Sequence, residues 1–147
     1  METKMKKQSW ILVEGNKIED VLKAEPVAGV RAINPFASWA RGIGFPLIVL
    51  EDHAVLKARA EVHTTKGDLW LSLEGESTFE LGGELVDPSF GKLPNGDEDK
   101  TEISSEEIKG GEKVVMKPGD WLWIPPGVPH KHFCGGTARL VIIKIPN

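Results

Sequence analysis

Apolar and polar positions alternate in short runs along this chain, and glycines and prolines punctuate the runs every few residues. Runs rich in Val, Ile, Leu, Trp and Phe suit a half-buried pleated strand, and the Gly and Pro between them supply turns, so the pattern predicts many short strands. The predicted strands cover residues 10–13, 46–50, 55–62, 68–73, 77–81, 112–116, 121–124, 130–134 and 138–145. One short helix fits residues 18–24, while long amphipathic windows are scarce after Ala40. An all-β antiparallel sandwich or barrel follows, with little helix. Within residues 68–73, Asp68, Trp70 and Ser72 share one face, and Leu69, Leu71 and Leu73 share the other. Two largely apolar faces on one strand imply that the outer face is covered as well.

Composition narrows the picture. The 147 residues are 40% hydrophobic, the size and balance of one ordinary domain that needs no disulfide to hold a core. Cys134 is the single cysteine, which fits a reducing, cytoplasmic compartment. A net charge of −4 argues against nucleic acid or an anionic membrane as partner, since both require a basic footprint. The opening, residues 1–7, is basic, but the apolar run at residues 10–13 is too short for a signal sequence or a membrane span. Residues 84–113 hold nine acids and four lysines, and turn chemistry at residues 87–96 precedes a charge cluster. Such a segment reads as an acidic surface loop between two strands.

The chemistry gathers around histidine, which occurs only at positions 53, 63, 130 and 132. Glu61 and His63 stand two apart on a predicted strand and so share a face, and Asp68 follows after a turn on the next strand. His130 and His132 repeat the same spacing far downstream, with Cys134 on the same face as either a ligand or plain packing. Imidazoles together with carboxylates suit a divalent transition metal (Zn, Fe, Mn or Ni) better than Ca or Mg. Trp70 and Ser72 have the parity of Asp68 and should flank such a site; Trp121 and Trp123 share a face on the strand before Pro125 and are also expected to line the pocket. His53 follows Glu51 and Asp52 in what reads as a surface turn.

Gly119, Pro125, Gly127 and His130 stand in the spacing G-x5-P-x-G-x2-H, and here the chain resembles the cupin superfamily at its second motif. The first cupin motif, H-x-H-x4-E with a glycine seven residues on, aligns with Glu61, His63, Asp68 and Gly75; Glu61 replaces the first histidine and Asp68 the glutamate. The Asn that often closes the second motif falls on Cys134. The resemblance covers about residues 55–145 and implies a single-domain, RmlC-like jelly-roll barrel (double-stranded β-helix) over residues 46–147, with residues 1–45 as an N-terminal extension packed on it. It further implies one divalent metal held by His63, Asp68 and His130, with Glu61 as fourth ligand or as a base beside the metal. His132 becomes a partner of that site or part of its mouth. Cupins often pair their sheets, so a homodimer is expected to bury the Leu69, Leu71 and Leu73 face, with the N-terminal segment as the alternative cover.

The resemblance implies a metal-binding enzyme of dioxygenase, isomerase or lyase type acting on an oxygen-rich small molecule such as a carboxylate or sugar. A sensor or receptor that holds a small ligand without turnover is the alternative. A cupin whose interior polar groups only bond one another remains a third possibility. The chain has no tyrosine, which removes epimerases that pair a base histidine with a tyrosine acid. The absence of H-x-H at the first motif disfavours a germin-like manganese oxalate oxidase.

Overall fold

Twelve strands and two short helices make up residues 10–147, the part of the chain described by the computed structural model. The basic opening at residues 1–7 lies outside the described residues. In chain order the elements are α1 (Gly15–Lys23), β1 (Gly29–Ala32), α2 (Phe36–Ile43), β2 (Leu47–Val55), β3 (Ala60–His63), β4 (Lys66–Glu74) and β5 (Ser77–Leu81). Then come β6 (Glu84–Leu85), β7 (Ser89–Lys92), β8 (Glu98–Ser105), β9 (Ile108–Lys109), β10 (Glu112–Met116), β11 (Trp121–Ile124) and β12 (His130–Pro146).

The strand pairings are antiparallel, and β12 belongs to two layers at once. Its second half, from Thr137, lies between β2 and β4; β1 and β11 extend that layer at either side. Its first half pairs with β5 and, at His130, with β3; β10 extends the layer beyond β5, and β8 with β7 beyond β3. The register shifts between Cys134 and Thr137, at Gly135 and Gly136, and the bulge lets one strand bend from layer to layer. The result is an all-β, cupin-like jelly roll. Its interior holds Trp70, Phe79, Met116, Ile124, Cys134, Ala138, Leu140 and Ile142.

Several features differ from the sequence reading: the strand expected over residues 55–62 is interrupted, β2 ending at Val55 and β3 starting at Ala60, and residues 130–134 and 138–145 form one strand. Residues 84–113 are not a loop: β7 and β8 form a hairpin whose turn carries Asn95 and Gly96, and β8 pairs with β3 from Ala60↔Ser105 to His63↔Glu102. Edge strands tolerate a charged, solvent-facing composition because their backbone bonds, not their side chains, tie them to the sheet. The expected turn at Glu51 to His53 is the middle of β2, with Glu51 and Asp52 fully buried. The helix α2 was not foreseen; it is two turns long, starts after Asn34, whose Oδ1 accepts from Ser38 N–H at 3.2 Å, and ends at Gly44 with φ 68°. Residues 10–13 form no strand.

The outer face of the β2–β12–β4 layer carries a second apolar cluster. Val21 and Phe36 from the helices pack with Val49 and Val141, and Leu71, Leu73 and Ile143 lie against them. The chain's own N-terminal segment thus covers Leu71 and Leu73.

Under that cover an alternating row of charges crosses four adjacent strands. Arg31, Glu51 and Arg139 stand opposite one another in register on β1, β2 and β12, and Arg139 faces Glu74 on β4. Arg31 Nε donates to Glu51 Oε2 at 2.6 Å, Arg139 Nε to Glu51 Oε1 at 3.0 Å, and Arg139 Nη1 to Glu74 Oε2 at 3.0 Å. The same groups also tie down the N-terminal segment: Val27 N–H donates to Glu51 at 3.0 Å, and Arg139 donates to the carbonyls of Leu22 and Ala24. Burial pushes the Glu51 carboxyl up, but Arg31, the Val27 N–H and Arg139 outweigh it and hold Glu51 at about 2, below its ordinary 4.5.

A carboxylate with a depressed folded pKa contributes its stability above the unfolded pKa and loses it as pH falls through the folded one. The Glu51 contribution, roughly 3 kcal/mol at one pKa unit per 1.4 kcal/mol, is therefore full above about pH 5 and fades toward pH 2. Urea unfolding of wild type should lose stability between pH 5 and 3 more steeply than Glu51→Gln; parallel profiles would refute this role. Arg139→Leu, which leaves Glu51 with Arg31 and Val27 but removes its buried cation, should cost roughly 1–3 kcal/mol in the same measurement.

Candidate metal centre

Three segments deliver the site. β3 presents Glu61 and His63 on one face, and His130, at the start of β12, stands directly opposite Glu61. Between β11 and β12 the chain turns through Pro125, Pro126 and Gly127, where φ is 83°. The Gly127 N–H donates to the His63 carbonyl at 2.8 Å, so this turn is clipped onto β3 and brings the two imidazoles to a ring separation of 5.1 Å. β4 supplies Asp68 from the facing layer, 1% exposed.

The ligand atoms converge. Asp68 Oδ2 lies 3.5 Å from His63 Nε2 and 3.4 Å from His130 Nε2, and Glu61 Oε2 lies 3.5 Å from His63 Nε2. Glu61, His63 and His130 each place one ligand atom within 4.8 Å of the others. Ligands about 2.1 Å from a tetrahedral ion are separated by about 3.4 Å, so the spacing fits a small divalent metal.

Protonation points the same way. His130 Nδ1 lies 3.0 Å from the Val128 carbonyl, which only accepts, so Nδ1 carries the proton and Nε2 offers its lone pair. His63 Nδ1 is held by Glu102, itself 3.2 Å from Lys66 Nζ, and this fixes the same tautomer. Burial pushes the Asp68 carboxyl up, yet His130, His63 and Lys144 outweigh it and hold it well below the usual carboxylate range. Burial likewise pushes His63 down, and Asp68 and Glu102 more than offset this, leaving it above its ordinary value. His63 Nε2 and Asp68 Oδ2 are buried and meet no well-formed hydrogen-bond partner among the described residues. A buried carboxylate oxygen that draws in two imidazole Nε2 atoms is a place where a divalent cation can replace the imidazole protons, and the residues present fit one.

Asp68 offers one oxygen, because Lys144 Nζ holds its Oδ1 at 2.9 Å. Glu61 differs from the other three: its side chain is 56% exposed and stands at the mouth. Beside it opens a cavity of about 320 Å³, lined among others by Val55, Lys57, Arg59, Glu61, His130 and His132.

The remaining expected site residues separate into two groups. His132 lines the cavity, its Nδ1 2.6 Å from buried Asp52 Oδ2 and its ring against Trp70 and Phe79. Trp70, expected to line the pocket, instead packs behind the His132 ring in the barrel core and does not line the cavity. Ser72 is buried further along β4 and donates to the Gly75 carbonyl at 3.4 Å, away from the cavity. Trp121 and Trp123 do not line the pocket: they pair with Leu71 and Leu69, share the outer face, and are 59% and 47% exposed. Leu122 and Ile124 have the inward parity instead, and the Trp123 ring lies over Gly67, where a Cβ would collide with it. Cys134 is packed in the barrel core, not at the cavity, and burial raises its thiol pKa.

No family model matches this chain, and no curated protein matches it. Among solved structures it is similar to the ribosomal oxygenase YcfD from Escherichia coli, at 18% identity and TM-score 0.44 over 69% of this chain and 22% of that one. A YcfD structure in complex with cobalt and 2-oxoglutarate gives 18% identity and TM-score 0.42 over 77% and 28%. Peruvianin-I, a cysteine peptidase from Thevetia peruviana latex, gives 14% and 0.48 over 85% and 69%. The chain spans about a quarter of the YcfD length, and no residue role is carried over from these proteins.

Sequence reasoning missed Asp52, Glu102 and Lys144. Lys144 had a signal, a lone cation inside the apolar run from Leu140 to Ile145, where an inward charge demands a partner. Glu102 had none beyond its place in an acidic cluster. Since Glu102 fixes the His63 tautomer, Glu102→Gln should weaken Zn affinity roughly 10–100-fold in a competition titration with a chromophoric chelator. The urea midpoint should stay unchanged; full affinity in the variant would show that Glu102 is only a surface acid.

Proposed function

We propose that this chain is a metal-dependent enzyme in which His63, His130 and Asp68 hold one divalent ion and Glu61 works at its open side on a small oxygen-rich substrate. The observation that carries the reading is the convergence of His63 Nε2 and His130 Nε2 on Asp68 Oδ2 in a buried pocket, with Nδ1 of each ring engaged from behind. A bound divalent ion supplies Lewis-acid polarisation of a substrate oxygen, or a water of lowered pKa. His63 and His130 hold their Nε2 atoms inward through their Nδ1 contacts, and Lys144 keeps Asp68 in place with Oδ2 free. Trp70 and Phe79 pack behind His132 in the core, and the cavity beside Glu61 is the approach for substrate. Glu61, half in solvent at that mouth, exchanges a proton with water and delivers it to or takes it from the substrate.

Elemental analysis of protein purified without chelator should find close to one transition metal per chain, falling to near zero in Asp68→Ala and His130→Ala. Full metal retained by Asp68→Ala would overturn the ligand assignment. Turnover against small acids and sugars, followed by oxygen uptake and by product analysis, should drop roughly 10²–10⁴-fold in Glu61→Gln while its metal content stays at wild-type level.

A further inference from the structure

We infer that the cavity beside the metal centre takes a small organic acid whose carboxylate or phosphate is held by Arg59 and Lys57 while an oxygen at its other end reaches the metal ligands. This rests on the metal-dependent reading above and narrows its substrate from acids or sugars to acids.

The first argument is position. Arg59 precedes β3 by one residue and continues the every-second-residue row of Glu61 and His63, with all but His63 lining the same cavity. Arg59 Nη2 donates at 3.2 Å to the hydroxyl of Ser104, the residue opposite Glu61 on β8. Each step of two along a strand is roughly 7 Å, so the row runs from a deep imidazole through a carboxylate at the mouth to a guanidinium at the rim. Lys57 stands two residues earlier on the same connecting segment and lines the same cavity.

The second argument is charge. The chain is acidic overall, yet Lys57 and Arg59 face the cavity and the lining residues include one carboxylate, Glu61. Lys57 makes no ion pair among the described residues. Arg59 meets Glu106 at 3.8 Å with both side chains more than half exposed, a contact that water and salt screen and a ligand can displace. Lys131, the third lining cation, is engaged by Glu80 at 3.6 Å and is not counted. A neutral sugar would need carboxylates or amides around the mouth to accept from its hydroxyls, and among the described residues no Asn, Gln or Asp lines the cavity. A carboxylate or phosphate instead finds two cationic donors, one of them the planar fork of an arginine.

The test is calorimetric titration of the Zn-loaded full chain with succinate, phosphoglycolate and the neutral isostere succinamide, with metal measured on the same samples. At least one of the two acids should bind tenfold or more tightly than succinamide, and whichever binds distinguishes a carboxylate site from a phosphate site. Arg59→Met and Lys57→Met should each weaken that acid about tenfold and the double variant more, with metal content unchanged. Equal binding of acid and amide, no binding of either acid, or undiminished binding by the double variant, each with one metal per chain, would overturn the acid assignment alone. Absence of stoichiometric metal would sink the enzyme reading instead; acid binding to that metal-free chain that vanishes in the double variant would still support the rim.

Discussion

The row of charges from Arg31 through Glu51 and Arg139 to Glu74 is the constraint on which the geometry of this barrel depends. Strand side chains have period two, so a slip of one residue between β2 and β12 would turn each inward residue out and each outward residue in. Burying Glu51 and Arg139 together makes that slip costly, because a displaced Arg139 would enter the apolar interior without Glu51. The register that satisfies the row places Ala138, Leu140 and Ile142 inside, and with them Lys144 opposite Asp68. A contact on the outside of the sheet thereby fixes what faces the site on the inside.

Within the site, the same logic of paired charge sets each ligand. Asp68 splits its two oxygens between Lys144 Nζ and the space between two imidazoles. Glu102 and the Val128 carbonyl orient those imidazoles from behind. Glu102 comes from β8, in the segment whose composition first suggests a solvated excursion. The acidic hairpin is therefore part of the wall that arranges His63.

The outline of the fold was legible in the sequence, since β5, β10 and β11 have the predicted bounds and the interior of β4 follows from its alternation. Spacing paired Glu61 with His63 and His130 with His132, and the resemblance to the cupin motifs joined Glu61, His63, Asp68 and His130 into one set; the fold places these four side chains near one another. What failed has common causes. Gly135 and Gly136 read as a break between two strands but form a bulge inside one, since glycine permits both. Asn95 and Gly96, a hairpin signal, were outweighed by the surrounding charge. Glu51 and Asp52 looked like surface residues because their partners, Arg31, Arg139 and His132, lie far away in sequence. Trp121 and Trp123 were placed inside on size, whereas the parity of a strand is set by its neighbour, here Ile124 against Asp68.

The dual membership of β12 also bears on how the barrel comes into being. During vectorial synthesis β2, β3, β4 and β5 all leave the ribosome before the strand that joins them, so their apolar edges wait unpaired until residues 130–146 emerge. Such long-range pairing makes closure of the barrel a late event in folding.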